Sequence, residues 1–313
     1  MTTLSVSPNT GQQTQKALPW FKKPALRRAI TGWLFILPIL LVYVMVVVAP
    51  SLTSVYYALT DWSGIGPAEF TGLDNIYTMV MDDTKYYRAF SHNLIWLVFF
   101  MTIPFAMALL AAGVLGQIKR GALGFRLALF IPYIFPSVVT AFMWRILMSP
   151  SKGLGAQLAA IGIPGLDHAW LGDPNTSLLS IAFVDNWHFW GFLMILFLTA
   201  MQGIPAVLYD AARIDGANRL QEFIHVTLPG IRPTLVFMLM MVAIWSFLTF
   251  DYVWVLTQGG PAGSSEILGT YLYKQAFLRF EAGYAAAIGL SISLFAAFIV
   301  GLFTILRRIG WEI

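Results

Sequence analysis

The chain has 313 residues, of which 58% are hydrophobic and only 11% charged, with a net charge of +4 and no cysteine. Soluble domains average about 45–50% apolar and about 25% charged residues, so this composition excludes a soluble protein and indicates an integral membrane protein. The lack of cysteine excludes disulfides, thiolate metal sites and a cysteine nucleophile, and no loop carries the basic stripe interleaved with aromatics that nucleic-acid binding needs.

The chain begins with a polar segment that precedes the first apolar run. Its first 19 residues are rich in Thr, Ser, Gln and Asn. We predict a disordered basic cytoplasmic tail over residues 1–28 and a membrane domain over residues 29–313. About 20 helical residues cross a bilayer, and six apolar stretches reach that length. They are Ala29–Ala49, Asn93–Gly116, Phe125–Leu147, Leu178–Met201, Thr234–Leu256 and Ala285–Leu306.

The basic residues predict the orientation of these spans. With the N-terminus in the cytoplasm, the inner segments hold thirteen of the 19 Lys and Arg residues, and most acidic residues fall outside. Basic residues concentrate in cytoplasmic loops. The predicted fold class is therefore an all-α membrane protein with six transmembrane helices and both termini in the cytoplasm.

Sequence motifs of several enzyme classes are absent. There is no G-x-x-x-x-G-K-[ST] phosphate loop, no H-E-x-x-H zinc motif and no G-x-S-x-G nucleophile motif, and the four histidines lack metal-ligand spacing. We predict that the chain is not an enzyme and holds no metal or cofactor of its own. Uphill transport would then draw its energy from an ion gradient or from a partner.

Spans three, four and five carry residues that are unusual inside a membrane. Pro132 and Pro136 interrupt span three, and the carbonyls they free could line a pathway, although proline is common in membrane helices. Asp185 and Asp251, near the outer ends of spans four and five, are candidate pathway groups because intramembrane charge is costly. Alternatively, both are hydrated at the interface or paired, with Arg145 or with each other.

The inner loop, residues 203–233 between spans four and five, contains the pattern of a short helix. Pro205 suits its first turn, where the missing N–H leaves no bond unmade. Gly216 suits the left-handed conformation that ends a helix. Between them, apolar residues recur at i, i+4 and i+7 on one face: Val207, Ala211 and Ile214.

A second short helix is predicted directly after the first. Asn218 and Gln221 have the spacing of a capping box, and Pro229 is expected to end the helix. The result is a pair of amphipathic helices at a sharp angle on the cytoplasmic side. The pair could rest on lipid headgroups or dock a cytosolic protein, and periodicity does not decide between the two.

The inner loop resembles the EAA loop of ABC-importer permeases, whose pattern is E-A-A, three residues, G, nine residues, I-x-L-P. Asp210-Ala211-Ala212, Gly216 and Leu228-Pro229 have this spacing, with Asp210 in place of Glu and Val226 in place of Ile. Asp215-Gly216-Ala217 matches the D-G-A of the carbohydrate-importer type. The resemblance implies a coupling helix that inserts into a groove on an ATP-binding subunit and transmits its closure to the spans.

Outer elements extend the resemblance over residues 34–308. Gly72-Leu73-Asp74-Asn75 resembles the family's G-L-D-N element. Thr257-Gln258-Gly259-Gly260-Pro261 matches T-x-G-G-P, which makes Gly259, Gly260 and Pro261 candidate residues of an outer loop or gate. That element is typical of permeases that pair with a second, different permease, as in maltose and glycerol-3-phosphate importers. In this element the chain is similar to the larger permease of the maltose type.

Span five presents an aromatic ring and hydroxyl groups at the spacing of one helical face. These residues are Trp245, Ser246, Thr249 and Tyr252. Hydroxyls suit the polar rim of a sugar, and an aromatic ring suits its apolar C–H face. The resemblance implies that Trp245, Ser246 and Thr249 contact the sugar. In span four it makes His188, Phe189 and Phe192 further candidates for sugar contact. The alternative is helix packing, and His188 in particular is expected to be a hydrogen-bonded packing residue.

The resemblance implies a permease subunit of a binding-protein-dependent sugar importer in a prokaryotic inner membrane. Its expected partners are a second homologous permease, two cytosolic subunits that bind ATP and Mg, an extracytoplasmic solute-binding protein, the sugar and membrane lipid. The alternatives are an ion-coupled secondary sugar transporter, which often has inverted repeats and a midplane carboxylate, and a membrane scaffold. No basic cluster marks a phosphate site, which favours a neutral glycoside.

Overall fold

The structure is a computed structural model that describes residues 24–118, 120–163, 165 and 167–308. Residues 1–53 and 54–313 form two compact units, which are described separately. The predicted tail lies outside the described residues except for positions 24–28, which belong to the first helix.

The first unit consists of helix in its described part, and the second of helices with one small two-stranded sheet. The helices are α1 (Pro24–Tyr43), α2 (Ala49–Tyr57), α3 (Asp74–Tyr77), α4 (Thr84–Gln117), α5 (Ala122–Ile134), α6 (Ser137–Leu147), α7 (Leu154–Ala160), α8 (Ser177–Gln202), α9 (Ala206–Ile214), α10 (Arg219–Glu222), α11 (Leu228–Gly230), α12 (Arg232–Leu248), α13 (Asp251–Leu256), α14 (Leu268–Tyr273) and α15 (Ala282–Arg308). π-Helical turns lie at Val44–Val48, Thr78–Asp82, Phe223–Thr227 and Lys274–Leu278, and the antiparallel strands are β1 (Thr60–Asp61) and β2 (Glu69–Phe70).

Five helical stretches in the described part of the chain are long and apolar enough to cross a membrane. They are Ile30–Tyr57, Thr84–Leu115, Ser177–Gln202, Arg232–Leu256 and Ala282–Leu306. The pair α5 and α6 is a sixth candidate, although the two helices are bent by 96° to each other. All six stretches overlap those predicted from the sequence, and the second begins nine residues earlier than predicted because α4 starts at Thr84.

The third predicted span is not one straight helix. Helix α5 ends at Ile134, and Phe135 adopts an extended conformation with ψ of 141°. Phe135 precedes Pro136, and the proline ring disfavours helical dihedrals in the residue before it. The chain therefore turns by 96° before α6 begins at Ser137.

The fifth predicted span is also interrupted, which corrects the expectation of an unbroken helix over Thr234–Leu256. Helix α12 ends at Leu248, and Thr249 is extended with ψ of 139°. The chain becomes helical again at Asp251. Helix α14 packs closely on this break, because a Cβ atom added at Gly269 would lie 2.9 Å from the carbonyl oxygen of Thr249.

Pro229 does not end the second helix of the inner loop, contrary to the prediction. A π-helical turn over Phe223–Thr227 precedes it, with the Leu228 N–H bonded to the Phe223 carbonyl, and helical geometry continues to Gly230. A proline ring clashes with the carbonyl four residues earlier in a regular α-helix. The wider π-turn accommodates the ring, so the helix passes through the proline.

The core of the second unit forms where α4 packs along α8. Ala108 and Ala112 of α4 are completely buried, one turn apart on the same face. Small residues at such positions let two helix backbones approach closely. Above them, Trp96 and Phe100 stack with ring centroids 5.5 Å apart, and both are buried.

A buried asparagine connects three helices. The Asn93 side chain in α4 donates to the carbonyl oxygen of Ser246 (2.8 Å) and accepts from the backbone N–H of Leu268 (2.9 Å). In a bilayer, both groups would otherwise remain unsatisfied. Asn93 therefore fixes α12 and α14 against α4.

The predicted G-L-D-N element lies beside the small sheet. Gly72 has a φ of 68°, a conformation that suits glycine. The side-chain amide of Asn75 donates to the carbonyl oxygens of Ala58 (3.1 Å) and Thr60 (2.8 Å). Asn75 therefore closes the first outer loop onto the end of α2.

Candidate functional site

A cavity of about 260 Å³ lies among α4, α8, α12 and α13. Twelve side chains line it: Trp96, Phe100, Asp185, Phe189, Val242, Trp245, Ser246, Leu248, Thr249, Phe250, Asp251 and Tyr252. They include all four candidates from span five, both intramembrane carboxylates and one of the three candidates from span four. We call this space the central cavity.

The break between α12 and α13 forms one wall of the central cavity. Seven of the eight consecutive residues 245–252 line it, and only Phe247 does not. A regular helix presents a limited sector to one side, since successive residues are rotated by about 100°. The interruption at Thr249 is therefore what places nearly the whole segment on the cavity wall.

The four span-five candidates differ in how free their polar groups are. Trp245 is 37% exposed, and its ring meets that of Phe189 edge to face at 5.2 Å. The Ser246 hydroxyl is committed to the carbonyl of Val242 at 2.8 Å. The Tyr252 hydroxyl is buried and faces the hydroxyl of Thr140. Trp245 thus offers the most accessible ring face of this set.

The two carboxylates of the central cavity are held differently. Asp251 accepts a 2.6 Å hydrogen bond from the hydroxyl of Ser137, the first residue of α6. Asp185 accepts no hydrogen bond from the part of the chain that the structure describes. Arg145 forms no ion pair with either carboxylate and donates instead to the carbonyl of Val255 at 3.5 Å. No Lys, Arg or His is among the lining residues.

His188 and Phe192 lie behind the central cavity rather than on its wall. The Nε2 atom of His188 is 3.0 Å from the carbonyl oxygen of Phe135, so this nitrogen carries the proton and donates. Phe192 stacks on Tyr133 with centroids 4.5 Å apart. His188 therefore satisfies the carbonyl freed at the bend of α5 and α6.

The inner loop contains the two short helices that its sequence predicts. Gly216, between α9 and α10, has a φ of 81°. The Asn218 side chain accepts from the Gln221 N–H (3.0 Å), and the Gln221 side chain accepts from the Asn218 N–H (2.8 Å). The predicted capping box is confirmed.

An arginine joins the two helices of the inner loop. The Arg213 guanidinium in α9 donates to the Glu222 carboxylate of α10, with Nε and Oε1 2.9 Å apart. It also approaches Asp210 at 3.4 Å. The Asp210 side chain nevertheless remains 67% exposed and open to a partner.

One side of the inner loop is attached to the membrane helices, and the other is exposed. The Phe223 ring packs where Gly113 of α4 has no side chain, and within the loop the Tyr209 hydroxyl is 3.0 Å from that of Thr227. On the other side, Val207 and Ile214 are 67% and 86% exposed. The remaining motif positions are exposed at Ala211, Asp215, Gly216 and Pro229 and partly buried at Ala212 and Leu228.

The outer T-x-G-G-P segment is a tightly bonded turn. Gly259 has a φ of 81°, and Gly260 precedes Pro261 through a cis peptide bond. The Ser265 hydroxyl donates to the carbonyl of Gly260 (2.6 Å) and lies 2.8 Å from the Thr257 hydroxyl. These bonds give the turn a defined shape above α13.

Glu266 anchors the same turn to the membrane helices. Its carboxylate pairs with Lys274, accepts from the Thr270 hydroxyl (2.6 Å) and occupies the space beside Gly259, where a Cβ atom would lie 2.7 Å away. Its carbonyl accepts from Nδ1 of His92 in α4 at 2.6 Å.

An outer carboxylate joins the start of α4 to the last helices. Asp83 caps α4 by accepting from the N–H groups of Lys85 and Tyr86, and it also accepts from the hydroxyls of Tyr271 and Tyr284. Partial burial alone would raise the pKa of Asp83, but the four hydrogen bonds outweigh it and hold that pKa below its usual range.

Comparison with known proteins identifies the family. Residues 105–309 match the model of the binding-protein-dependent transport system inner membrane component family. A probable ABC transporter permease protein of Bacillus subtilis, YurN, is 35% identical over 83% of this chain and 89% of the relative. The trehalose/maltose transport system permease protein MalF of Thermococcus litoralis is 31% identical over 89% of this chain and 92% of the relative. The chain belongs to this family.

A solved structure shows the same fold. The chain is similar to a bacterial ABC transporter involved in the import of the acidic polysaccharide alginate, with a TM-score of 0.81 and 21% identity. The similarity covers 92% of this chain and 98% of that chain. This inner membrane component is accordingly a multi-pass protein of the plasma membrane.

Sequence reasoning missed five residues on the cavity wall of this inner membrane component. Trp96 and Phe100 come from α4, and Val242, Leu248 and Phe250 come from the segment around the break. All five belong to apolar stretches where nothing distinguishes them from residues that pack between helices. The i, i+4 spacing of Trp96 and Phe100 shows that they share a face, but not which helix that face meets.

Proposed function

We propose that this chain is a permease subunit of an ATP-driven importer that moves a sugar or glycoside, delivered by an extracytoplasmic binding protein, into the cell. The observation that carries the proposal is that the inner loop and the cavity segment 245–252 both lie within residues 105–309, which match the family. Relatives named for trehalose/maltose, lactose and diacetylchitobiose transport point to a sugar substrate.

The central cavity is the proposed place where the sugar passes. Trp245 and Phe189 offer ring faces for the C–H surface of a pyranose, and Asp185 and Tyr252 offer an acceptor and a hydroxyl for its polar rim. Ser246 and Thr249 complete the span-five wall.

The inner loop is the proposed coupling element. In the proposed topology, with six transmembrane helices and both termini in the cytoplasm, this loop would lie on the cytoplasmic side. Val207, Ile214 and Asp210 are exposed and would be available there to a partner. Two cytosolic subunits would bind ATP and Mg and hydrolyse the nucleotide, so the chain itself carries no cofactor. Closure of these subunits would move α9 and α10 together, because Arg213 and Glu222 pair across them.

The outer loop around Gly259, Gly260 and Pro261 is the proposed gate on the side of the binding protein. Glu266 links it to α14, and Ser264 links it to Ser177 of α8 through hydroxyls 2.8 Å apart. A displacement of α8 relative to α14 would therefore reach the turn directly.

Two substitutions in the inner loop test the coupling role. Gly216→Pro replaces a residue at φ of 81° by one restricted to about −65°, which disrupts the corner between α9 and α10. Asp210→Lys reverses the charge of the exposed motif carboxylate. We expect both variants to insert normally in the membrane but to lose sugar uptake and bind the ATPase subunits more weakly. Asp167→Lys, which reverses an exposed charge elsewhere, is the control.

Transport by the isolated chain distinguishes the main proposal from the ion-coupled alternative. The purified protein alone, in vesicles with a proton or sodium gradient, should not accumulate sugar. Accumulation under either gradient would overturn the proposal, and full uptake by both loop variants would overturn the coupling role of the inner loop.

A further inference from the structure

A second cavity lies between the inner loop and the membrane helices. It has a volume of about 560 Å³ and is bounded by the ends of α4 and α8, the start of α5, and α9 and α10. This volume lies within the range of about 300–1,000 Å³ that is usual for ligand pockets. Val207 and Ile214, on the exposed face of the loop, do not line it. We call this space the loop cavity.

The loop cavity has an excess of positive charge. Arg126 of α5, Arg213 of α9 and Arg219 of α10 line it, together with a single acidic residue, Glu222. Arg213 and Glu222 pair with each other at 2.9 Å, so their charges cancel. The charges of Arg126 and Arg219 remain, and the lining therefore has a net charge of +2.

The helix ends beside the loop cavity do not remove this excess. Helices α4 and α8 end at Gln117 and Gln202, and both residues line the cavity. The C-terminal end of a helix carries roughly half a negative charge, so the two ends together offset about one of the two positive charges. The cavity therefore keeps a positive potential.

The two remaining arginines have donors without acceptors. Neither the Arg126 nor the Arg219 side chain forms an ion pair with a described residue, and the Nε atom of Arg126 is shielded from solvent without a hydrogen-bond partner. A shielded donor on a charged group is unfavourable until an acceptor reaches it. A guanidinium presents parallel N–H groups that match the oxygens of a phosphate, and the amides of Gln117 and Gln202 add further donors.

We propose that the loop cavity binds a phosphate group, with Arg126 and Arg219 as its charged donors. Arg126 belongs to α5 and Arg219 to α10, so a bound phosphate would connect the membrane helices to the inner loop. Two sources carry this chemistry, the headgroup of an anionic phospholipid and a soluble phosphate. The inference goes beyond the proposed function and does not depend on the sugar pathway.

Thermal denaturation of the purified full chain in a nonionic detergent tests the inference, because a ligand that binds the folded state raises Tm with its concentration. The anionic probes are dihexanoyl-phosphatidylglycerol and inorganic phosphate. Their controls are dihexanoyl-phosphatidylcholine, which has the same phosphodiester but no net charge, and chloride at matched ionic strength. We expect an anionic probe to raise Tm well above its control. A response to the phosphatidylglycerol alone identifies the lipid headgroup as the source, and a response to inorganic phosphate identifies a soluble phosphate.

Two substitutions place the binding in the loop cavity. Arg126→Gln removes a charged donor and should raise the probe concentration at half of the Tm shift at least about ten-fold. Gly116→Leu fills the cavity without changing its charge and should weaken binding as well. The helix tolerates this change, since a Cβ atom at Gly116 would meet only the Leu198 side chain, at 3.9 Å. Arg120→Gln removes an exposed positive charge just before α5, outside the lining, and is the matched control.

Three results would overturn the inference. The first is the absence of a Tm response to both anionic probes, and the second is an equal loss of the response in Arg120→Gln, which would indicate general attraction to a basic surface. The third is an undiminished response in Gly116→Leu, which would place the binding elsewhere. If Arg126→Gln does not fold, Arg219→Gln replaces it, because Arg219 is exposed and should shift the midpoint in the same direction. Sugar uptake does not enter these measurements, so such a failure leaves the proposed function standing.

Discussion

Gly191 of α8 packs directly on the backbone of α5, and replacing it should separate these two helices. A Cβ atom at Gly191 would lie 2.0 Å from the carbonyl oxygen of Leu129 and 2.8 Å from its carbonyl carbon. Ordinary van der Waals contact begins at 3.4 Å, so Gly191→Ala requires a local displacement of about 1.4 Å. The obstacle is backbone and has no side-chain rotamer by which to move aside.

The structure sets the size of the expected effect. Overfilling a packed core costs about 1–3 kcal/mol, and alanine regains roughly 1 kcal/mol over glycine inside a helix. Because a backbone clash belongs at the upper end of that range, we expect a net loss of about 2 kcal/mol for Gly191→Ala. Helix α8 also carries Asp185 and Phe189 into the central cavity, so the displacement should disturb sugar binding as well.

Thermal denaturation of the purified complex in detergent measures this effect. A loss of 1 kcal/mol lowers Tm by about 2–4 °C in domains of 150–250 residues, which predicts a decrease of about 4–8 °C for Gly191→Ala. Gly124→Ala in α5 is the matched control, since no atom lies within 4 Å of the added Cβ. It should leave Tm unchanged or slightly raised. Equal Tm values for the two variants would refute the tight contact between α5 and α8.

Three further predictions concern the inner loop, the outer carboxylate and the cavity. Asn218→Ala removes the capping box with Gln221 and should destabilise the second loop helix by about 1 kcal/mol. We expect faster proteolysis of the loop and slower sugar uptake, while the protein still inserts intact in the membrane. The pKa of Asp83 is lowered in the folded state, so its stabilisation is present above its ordinary value of 3.8 and is lost as the pH falls below it. Asp83→Asn puts an amide NH2 in place of the Oδ2 atom that accepts from Tyr271 and Tyr284, and should therefore lower Tm at pH 7, with the difference from the wild type shrinking below pH 3.8; a constant difference would contradict this role. Trp245→Ala should raise the apparent KM for sugar without uncoupling ATP hydrolysis from the binding protein, and unchanged transport of every sugar tested would remove Trp245 from the site.

Features with local causes were predictable from the sequence. Gly216 and the pair Asn218 and Gln221 act through dihedrals and hydrogen bonds within a few residues, and the structure places the helix end and the helix start where they predict. The bend at Pro136 also has a local cause, because proline restricts the residue before it. Pro229 shows the limit of such rules, since one π-helical turn is enough to pass a proline without ending the helix.

Features with distant causes were not predictable in the same way. Neither Thr249 nor Phe250, the two residues between α12 and α13, is of a helix-breaking type. The break at these residues coincides with the close approach of Gly269, about twenty residues later in the chain. Trp96 and Phe100 lie on the cavity wall only because α4 meets α8 and α12 there. Neither fact can be read from hydrophobic periodicity, which reports the faces of a helix but not its neighbours.

The unpredicted break changes which residues can act together. On an unbroken helix, Asp251 would lie about 120° around the axis from Trp245, since six residues at about 100° each make one turn and two-thirds. Trp245, Thr249 and Tyr252 would share one face of that helix, and Asp251 would not lie on that face. In the structure, Trp245 and Asp251 line the same cavity because the chain is extended at Thr249. A ring face and a carboxylate therefore meet beside one space, a combination that suits a hydroxylated ring and that helical spacing alone would have kept apart.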